Sequence, residues 1–278
     1  MKPKIEFLEV MVIRTCNLSC QGCTTFSDLT YSGYTTWEQA RAELEPWTHR
    51  LDIEAIGIMG GEPLINPDIK SWLTGIRELL PNAQIRFITN GLLLNRHWDV
   101  VELLQELGNT VLKISYHITN AEVDSVIQRI FQTWAWTPVN EFGIDRWGRE
   151  RECKFQVARP TQFLKTFKND YANMAPHDSD PVEAFQRCVQ KRCPLLYNGQ
   201  LFKCGTVALM PEVLERHGNP NIEQWEPYLG HGLDITCSDR ELRAFANNFG
   251  RPHPICQQCP TQADTNSMLD HRITVAVK

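Results

Sequence analysis

Three cysteines near the N-terminus, Cys16, Cys20 and Cys23, are separated by three and then two residues and directly follow an apolar segment. Thiolates are ligands of zinc and of iron–sulfur clusters, and a closed tetrahedral site needs four ligands. Three cysteines therefore leave one coordination position for another ligand. The spacing predicts a metal centre with an open position; a structural zinc knuckle and reduced core thiols are the alternatives that the triplet alone leaves open.

Apolar strands alternate with amphipathic helices around these cysteines. Helix signals include a capping box at Thr36 and Gln39, Asn66 before Pro67 as a cap, and Gly108 at a helix end. A strand–helix unit that recurs at roughly 30 residues is typical of βαβ folds and predicts a parallel sheet. The predicted strands are 5–13, 53–59, 84–89, 110–116 and 152–158, and the predicted helices are 36–49, 68–80, 96–107 and 120–134.

Further motifs stand at the C-terminal ends of the predicted strands, where parallel sheets hold their ligands. One is a glycine turn (residues 60–63, Gly-Gly-Glu-Pro), and another is Asn90 before a glycine. Two glycines allow close backbone approach to a ligand, and the turn leaves carbonyl oxygens for a cationic amino group. Ser115, in the predicted strand 110–116, is a further candidate. The alternatives to a binding role are an ordinary turn at Asn90 and a core hydroxyl at Ser115.

Together these motifs resemble the radical S-adenosylmethionine (SAM) superfamily. The resemblance implies that Cys16, Cys20 and Cys23 hold a 4Fe-4S cluster whose fourth iron binds SAM. It implies reductive cleavage of SAM to a 5'-deoxyadenosyl radical that abstracts hydrogen from a substrate. Gly22 departs from the aromatic residue common at that position, so Phe26 is considered as an adenine contact, with a core role as the alternative. The implied SAM-binding residues are Gly60, Gly61, Glu62, Pro63, Asn90 and Ser115.

Further cysteines cluster in the C-terminal third of the chain. Residues 193–204 predict a β-hairpin with an Asn-Gly turn and a cysteine at each end. The arrangement resembles a C-terminal SPASM extension in its shortened Twitch form. The resemblance implies one auxiliary 4Fe-4S cluster, and zinc on the same thiolates is the alternative. The implied ligands are Cys193, Cys204, Cys256 and Cys259, with Cys188 as the alternative fourth ligand; Cys153 and Cys237 are expected to be ordinary buried thiols.

The predicted fold class is α/β. We expect a partial (β/α)6 TIM-like barrel of parallel strands over residues 1–175, a boundary near 173–181, and a Twitch-like hairpin and helix domain over 181–278. Residues 136–148 are predicted to be a connection or an insertion.

Composition narrows the function classes. A net charge of -5 argues against general nucleic-acid binding, and no apolar run reaches the roughly 18 residues of a membrane span. Ten cysteines without a secretory signal favour metal or redox chemistry. A cytoplasmic protein is expected, and its oligomeric state is left open.

The expected function is a radical SAM enzyme of the oxidoreductase or lyase class. It acts on a small polar substrate, by oxidation, elimination or rearrangement of an alcohol, amine or nucleoside-like compound, with an electron donor such as flavodoxin or ferredoxin. The alternatives are a peptide-modifying maturase and a non-catalytic iron-sulfur electron carrier. No motif assigns a proton donor; the candidates by location are His117, Tyr197, Cys237 and Arg159.

Overall fold

The computed structural model describes residues 1–20, 22–29, 31–118, 120–134, 138–141, 144–147, 154–159, 164–262 and 272–273. The strands there are β1 (Lys4–Ile5), β2 (Leu8–Ile13), β3 (Leu18–Ser19), β4 (Asp52–Ile53), β5 (Ala55–Gly60), β6 (Gln84–Thr89), β7 (Thr110–Ser115), β8 (Pro138–Glu141), β9 (Ile144–Trp147), β10 (Lys154–Ala158), β11 (Leu195–Tyr197), β12 (Gln200–Phe202) and β13 (Arg272–Ile273). The α-helices are α1 (Trp37–Thr48), α2 (Ile69–Leu79), α3 (Trp98–Leu107), α4 (Ala121–Trp134), α5 (Pro181–Arg187), α6 (Gly205–His217), α7 (Ile222–Trp225) and α8 (Asp239–Asn248). Short 3-10 helices span Ser27–Leu29, Pro63–Ile65, Tyr171–Asn173, Glu226–Tyr228 and Pro254–Gln258.

The central sheet has nine strands in the order β12-β11-β2-β5-β6-β7-β10-β9-β8. Strands β2, β5, β6, β7 and β10 are parallel neighbours, and α1 to α3 connect β2 through β7. The prediction of an α/β fold with a mostly parallel sheet is confirmed, and it is consistent with a partial barrel. The sixth parallel strand does not come from a sixth strand–helix unit: it is β11 of the C-terminal hairpin, which pairs with β2.

Side chains of the parallel strands alternate between two faces, as the period of two requires. On one face, apolar residues pack against α1 to α4 in the main core, where Ile58, Phe87 and Leu112 are fully buried. A second apolar cluster forms where α6 packs near β11 and β12, and it includes Met11 of β2. The main core also includes Leu242 and Ala246 of α8, so the C-terminal segment contributes to both clusters.

Most predicted elements are present, with shifted boundaries. The capping box forms: Thr36 caps α1 and pairs with Gln39. The predicted N-cap position is shifted by two residues: Asp68 is the N-cap residue of α2, and the Asn66 side-chain oxygen accepts a hydrogen bond from the Asp68 N–H at 2.8 Å. The Asn66 amide nitrogen donates to the carbonyl oxygens of Val12 (2.9 Å) and Thr35 (3.0 Å). Two of the predicted strands, 5–13 and 53–59, are each interrupted. The first is divided into β1 and β2, and the second into β4 and β5.

The C-terminal segment joins the main sheet. Its hairpin places β11 beside β2, with Leu195 opposite Glu9, and β8 and β9 form an antiparallel pair at the other edge, where a connection was predicted. The division into domains at residues 175 and 181 stays a prediction. No helix in the described ranges is long and apolar enough to cross a bilayer.

Candidate active site

The cysteine loop (residues 16–23) follows β2 and brings its three thiols within electrostatic range of one another. Burial raises the pKa of Cys16 to about 12, and the nearby Glu62 and Cys23 add to the rise. Burial also raises the pKa of Cys20, and Cys23 and Cys16 contribute to that rise. Neighbouring thiols suppress each other's ionisation because their thiolates repel. A cation bound between them offsets this repulsion.

Hydrogen-bond donors surround Cys16. The backbone N–H of Leu18 donates to the Cys16 sulfur at 3.4 Å, and the Asn90 amide nitrogen lies 3.9 Å from it. The same amide donates to the Asn17 side-chain oxygen at 2.7 Å. Donors around a ligating sulfur tune a bound metal centre. Asn90 therefore orders the cysteine loop through its hydrogen bond to Asn17. The role of Asn17 was not predicted from the sequence, although its position directly after Cys16 was a signal that it belongs to the site.

The glycine turn lies directly against the start of the cysteine loop. The N–H groups of Gly61 and Glu62 donate to the carbonyl oxygens of Ile13 (2.8 Å) and Thr15 (2.9 Å). A Cβ added at Gly60 would lie 2.1 Å from the Ile13 oxygen, and one at Gly61 would lie 2.1 Å from the Thr15 oxygen. Contact between the glycine turn and the segment that leads into the cysteine loop therefore requires both glycines. The sequence analysis explained these glycines by close approach of the backbone to a ligand.

Glu62 is fully buried and joins the ends of β5 and β6. Its carboxylate accepts hydrogen bonds from the N–H of Leu64 (3.0 Å), the hydroxyl of Thr89 (2.7 Å) and the N–H of Asn90 (2.8 Å). Burial raises its pKa to about 7, and the three donors act in the opposite direction. The carboxylate is engaged by the protein and orders the turn.

The remaining predicted SAM-binding residues lie at the same end of the sheet. Pro63 is buried and begins a short 3-10 helix, and Ser115 is the half-buried last residue of β7. Phe26 has no exposed surface and packs in the second apolar cluster, 6.3 Å from the Phe167 ring centroid. Phe26 is a core residue in this structure.

The residues considered as proton donors are dispersed. The Tyr197 hydroxyl donates to Glu212. The Arg159 guanidinium lies 5.1 Å from the centroid of the Tyr116 ring. Half-buried Cys237 accepts from Arg50 at 3.5 Å, and His117 is half-buried beyond β7.

Four C-terminal cysteines line one cavity, here called the four-thiol cavity: Cys188, Cys204, Cys256 and Cys259. They come from the end of α5, the start of α6 and the 3-10 helix Pro254–Gln258. Burial raises the pKa of Cys204 to about 12, and Cys188 and Cys256 add to that rise. Burial raises the pKa of Cys259 strongly, with contributions from the other three thiols.

Cys193 does not line this cavity, although Cys188 is close enough to affect its pKa. Burial raises the pKa of Cys193, and the buried carboxylate of Glu9 on β2 and Cys188 add to that rise. Burial also raises the pKa of Glu9 to about 7. The geometry thus places the alternative residue, Cys188, with the other three cysteines, and not Cys193. Pairing of β11 with β2 turns Cys193 toward Glu9, and this long-range contact has no local sequence signal. Cys153 lies outside the described residues.

The two groups of cysteines are neighbours. Thr24, which directly follows Cys23, lines a further cavity together with Cys188, Cys204 and Cys259. A larger cavity lies elsewhere, lined by residues that include Met1 and Thr48, and it contains none of the predicted site residues.

The donor set of both groups fits iron–sulfur ligation, because each consists of interacting thiols that are at least partly buried. Thiolates of such a cluster bond separate irons, whereas a single zinc ion holds its sulfurs roughly 4 Å from each other. Within the described ranges, no group of three or more His, Cys, Asp or Glu side chains has the geometry of a single-ion site.

Comparison with known proteins finds a similar family. Residues 10–137 match the model of the radical SAM superfamily. This range includes the cysteine loop, the glycine turn, Asn90 and Ser115. The match covers 128 of the 278 residues, and over this range the chain is similar to the radical SAM superfamily.

Particular relatives cover parts of the chain. It is 27% identical over 142 residues to the GTP 3',8-cyclase of Microcystis aeruginosa, which is 48% of this chain and 42% of the relative. It is 27% identical over 128 residues to that of Petrotoga mobilis, 45% of this chain and 38% of the relative. The chain thus spans about two fifths of the length of these curated relatives.

Solved structures are similar at lower identity. Streptococcus suis SuiB bound to S-adenosylmethionine has 20% identity and a TM-score of 0.35, with 41% of this chain and 25% of that chain covered. BtrN in complex with AdoMet and 2-DOIA has 14% identity and a TM-score of 0.49, with 93% and 94% covered.

Proposed function

We propose that this protein is a radical SAM enzyme that cleaves SAM reductively and abstracts a hydrogen atom from a small polar substrate. One observation carries the proposal: the cysteine loop, the glycine turn and Asn90 form a single hydrogen-bonded unit at the C-terminal ends of β2, β5 and β6. Ligand sites of parallel sheets lie at this end.

Each part of this unit has a proposed task. Cys16, Cys20 and Cys23 hold a 4Fe-4S cluster, and the glycine turn receives the amino group of the methionine part of SAM. When bound, the cluster supplies the electron for SAM cleavage, which yields the 5'-deoxyadenosyl radical. The protein orders these groups and excludes water, as it does for other cofactors. The electron donor is proposed to be a flavodoxin or ferredoxin.

The substrate class includes nucleoside-like compounds. The matched relatives are named as cyclases of GTP, and alcohols and amines are the other proposed substrates. Oxidation, elimination and rearrangement are the proposed outcomes.

The four-thiol cavity is proposed to hold an auxiliary 4Fe-4S cluster on Cys188, Cys204, Cys256 and Cys259. Support comes from the shared cavity and from Thr24, which links this cavity region to the cysteine loop. A cluster there can accept the second electron of a substrate oxidation or position the substrate. Iron and zinc quantitation with visible absorbance distinguishes it from a zinc site.

Anaerobic incubation of the reconstituted protein with SAM and dithionite tests the proposed function. We expect 5'-deoxyadenosine from the native protein, and none from a variant with alanine at Cys16, Cys20 and Cys23. Native protein with a full complement of iron that produces no 5'-deoxyadenosine contradicts the proposal.

A further inference from the structure

Arg14, two residues before Cys16, has one edge of its guanidinium without a partner. Its Nη1 donates to Glu212 on α6. Its Nε and Nη2 are buried and have no hydrogen-bond partner among the described residues. Buried polar atoms normally have a hydrogen-bond partner, so two atoms without one on the same side chain require an explanation. The Nε and Nη2 atoms are two adjacent donors that match the oxygens of a carboxylate or phosphate.

The surroundings hold this guanidinium in a defined plane. Glu212 also accepts a hydrogen bond from the Tyr197 hydroxyl, so its carboxylate is fixed from both sides. The Tyr31 ring centroid lies 3.7 Å from the guanidinium carbon of Arg14 and 4.6 Å from that of Arg216. Stacking occupies the guanidinium face and leaves its edge for in-plane hydrogen bonds.

The two free donors of Arg14 and a second unpaired group favour an anion. Glu212 offsets the charge of Arg14, and the guanidinium carbon of Arg216 lies on the Tyr31 ring as well. The Tyr31 hydroxyl is also buried without a hydrogen-bond partner in the described part of the chain. The Arg14 side chain is only 12% exposed, and charge interactions shielded from water are stronger.

We propose that Arg14 and Tyr31 bind a carboxylate or phosphate group of the substrate. The site lies beyond β2, at the sheet end that carries the cysteine loop, so an anion held there is anchored close to the proposed SAM site. The inference rests on the proposed function only in assigning the anion to the substrate. The carboxylate of SAM is the other source of the same chemistry.

Isothermal titration of the reconstituted protein with inorganic phosphate, and separately with acetate, tests this site in a buffer that lacks both. The native protein is expected to bind at least one of them with unchanged affinity when SAM is saturating. Arg14→Lys keeps the charge but loses the paired donors, so we expect at least about tenfold weaker binding. Tyr31→Phe removes only a hydroxyl and should weaken binding severalfold. Arg192→Lys, at an exposed pair with Glu6, is the matched control and should leave binding unchanged.

Three outcomes overturn the inference: no anion binding by the native protein, equal binding by Arg14→Lys, or competition between SAM and the anion. If Arg14→Lys loses iron or fold, Tyr31→Phe decides the question. Anion binding does not require SAM cleavage. A protein that binds phosphate or acetate but forms no 5'-deoxyadenosine contradicts the proposed function alone, and the reverse result contradicts only this site.

Discussion

The carboxylate of Glu62 accepts a hydrogen bond from the backbone N–H of Asn90 at 2.8 Å, and the Asn90 side chain donates to Asn17 at 2.7 Å. This connection runs from the glycine turn through the end of β6 to the residue beside Cys16. A change at Glu62 should therefore disturb the cysteine loop, although Glu62 is not one of the ligands of the proposed cluster.

Glu62→Gln should destabilise the protein by about 1–3 kcal/mol, because an amide has one acceptor oxygen for three buried donors. Urea unfolding of the cluster-free protein measures this, and iron retained after reconstitution should fall as well. Glu54→Gln removes an exposed pair with Lys4 and is the control, with an expected change below about 0.5 kcal/mol. Equal stability of the two variants would show that the Glu62 network is not structural.

Gly61→Ala should prevent the cysteine loop from reaching the glycine turn, since the new Cβ would lie 2.1 Å from a backbone oxygen. The expected loss is more than about 3 kcal/mol, because backbone on both sides must shift. Gly250→Ala is the matched control: its Cβ would meet only the Arg192 side chain at 3.7 Å. The urea unfolding midpoints of the two variants are compared. If Gly61→Ala has the midpoint of the native protein and a full complement of iron, the close backbone contact at Gly61 is contradicted.

Cys188→Ala and Cys193→Ala should differ in their iron content. Cys188 lines the four-thiol cavity, whereas Cys193 does not line it and lies near the carboxylate of Glu9. We expect Cys188→Ala to lose the iron of the auxiliary cluster, about half of the total if both clusters are 4Fe-4S. Cys193→Ala should keep it. The opposite pattern would restore Cys193 as the fourth ligand.

Glu9 should make the stability of the cluster-free protein depend on pH. Its pKa is raised by burial to about 7, from 4.5. The folded state therefore holds this proton more tightly than the unfolded state, so the stabilisation is complete below about pH 4.5 and is lost as pH rises through about 7. The full effect is about 3 kcal/mol.

Urea unfolding between pH 5 and 7.5 tests this. Glu9→Gln should reduce the dependence without abolishing it, because burial also raises the pKa of Glu62 to about 7. Glu6→Gln is the control, because Glu6 is an exposed neighbour on the same segment. A slope in Glu9→Gln as steep as that of the native protein assigns the dependence to other groups.

Local sequence signals were sufficient for much of the fold. The recurring strand–helix unit located β6 at 84–89, and the capping box at Thr36 marked the start of α1. The turn at Asn198 and Gly199, both with positive φ, was visible because such dipeptides favour that conformation. Each signal lies within a few residues of its effect.

Contacts between distant segments were not visible in the sequence. Cys188 and Cys193 both precede the hairpin, and only the pairing of β11 with β2 separates their environments. Arg14 and Glu212 are 198 positions apart, so no local pattern connects them. Asn66 had the sequence context of a helix cap, but its amide is held by Val12 and Thr35.

Electron paramagnetic resonance of the dithionite-reduced protein, with and without SAM, tests the central claim most directly. A variant with alanine at Cys188, Cys204, Cys256 and Cys259 isolates the N-terminal cluster. We predict that SAM shifts the g-values of this cluster, because one iron has no protein ligand and binds SAM. An unchanged spectrum at saturating SAM would contradict the account.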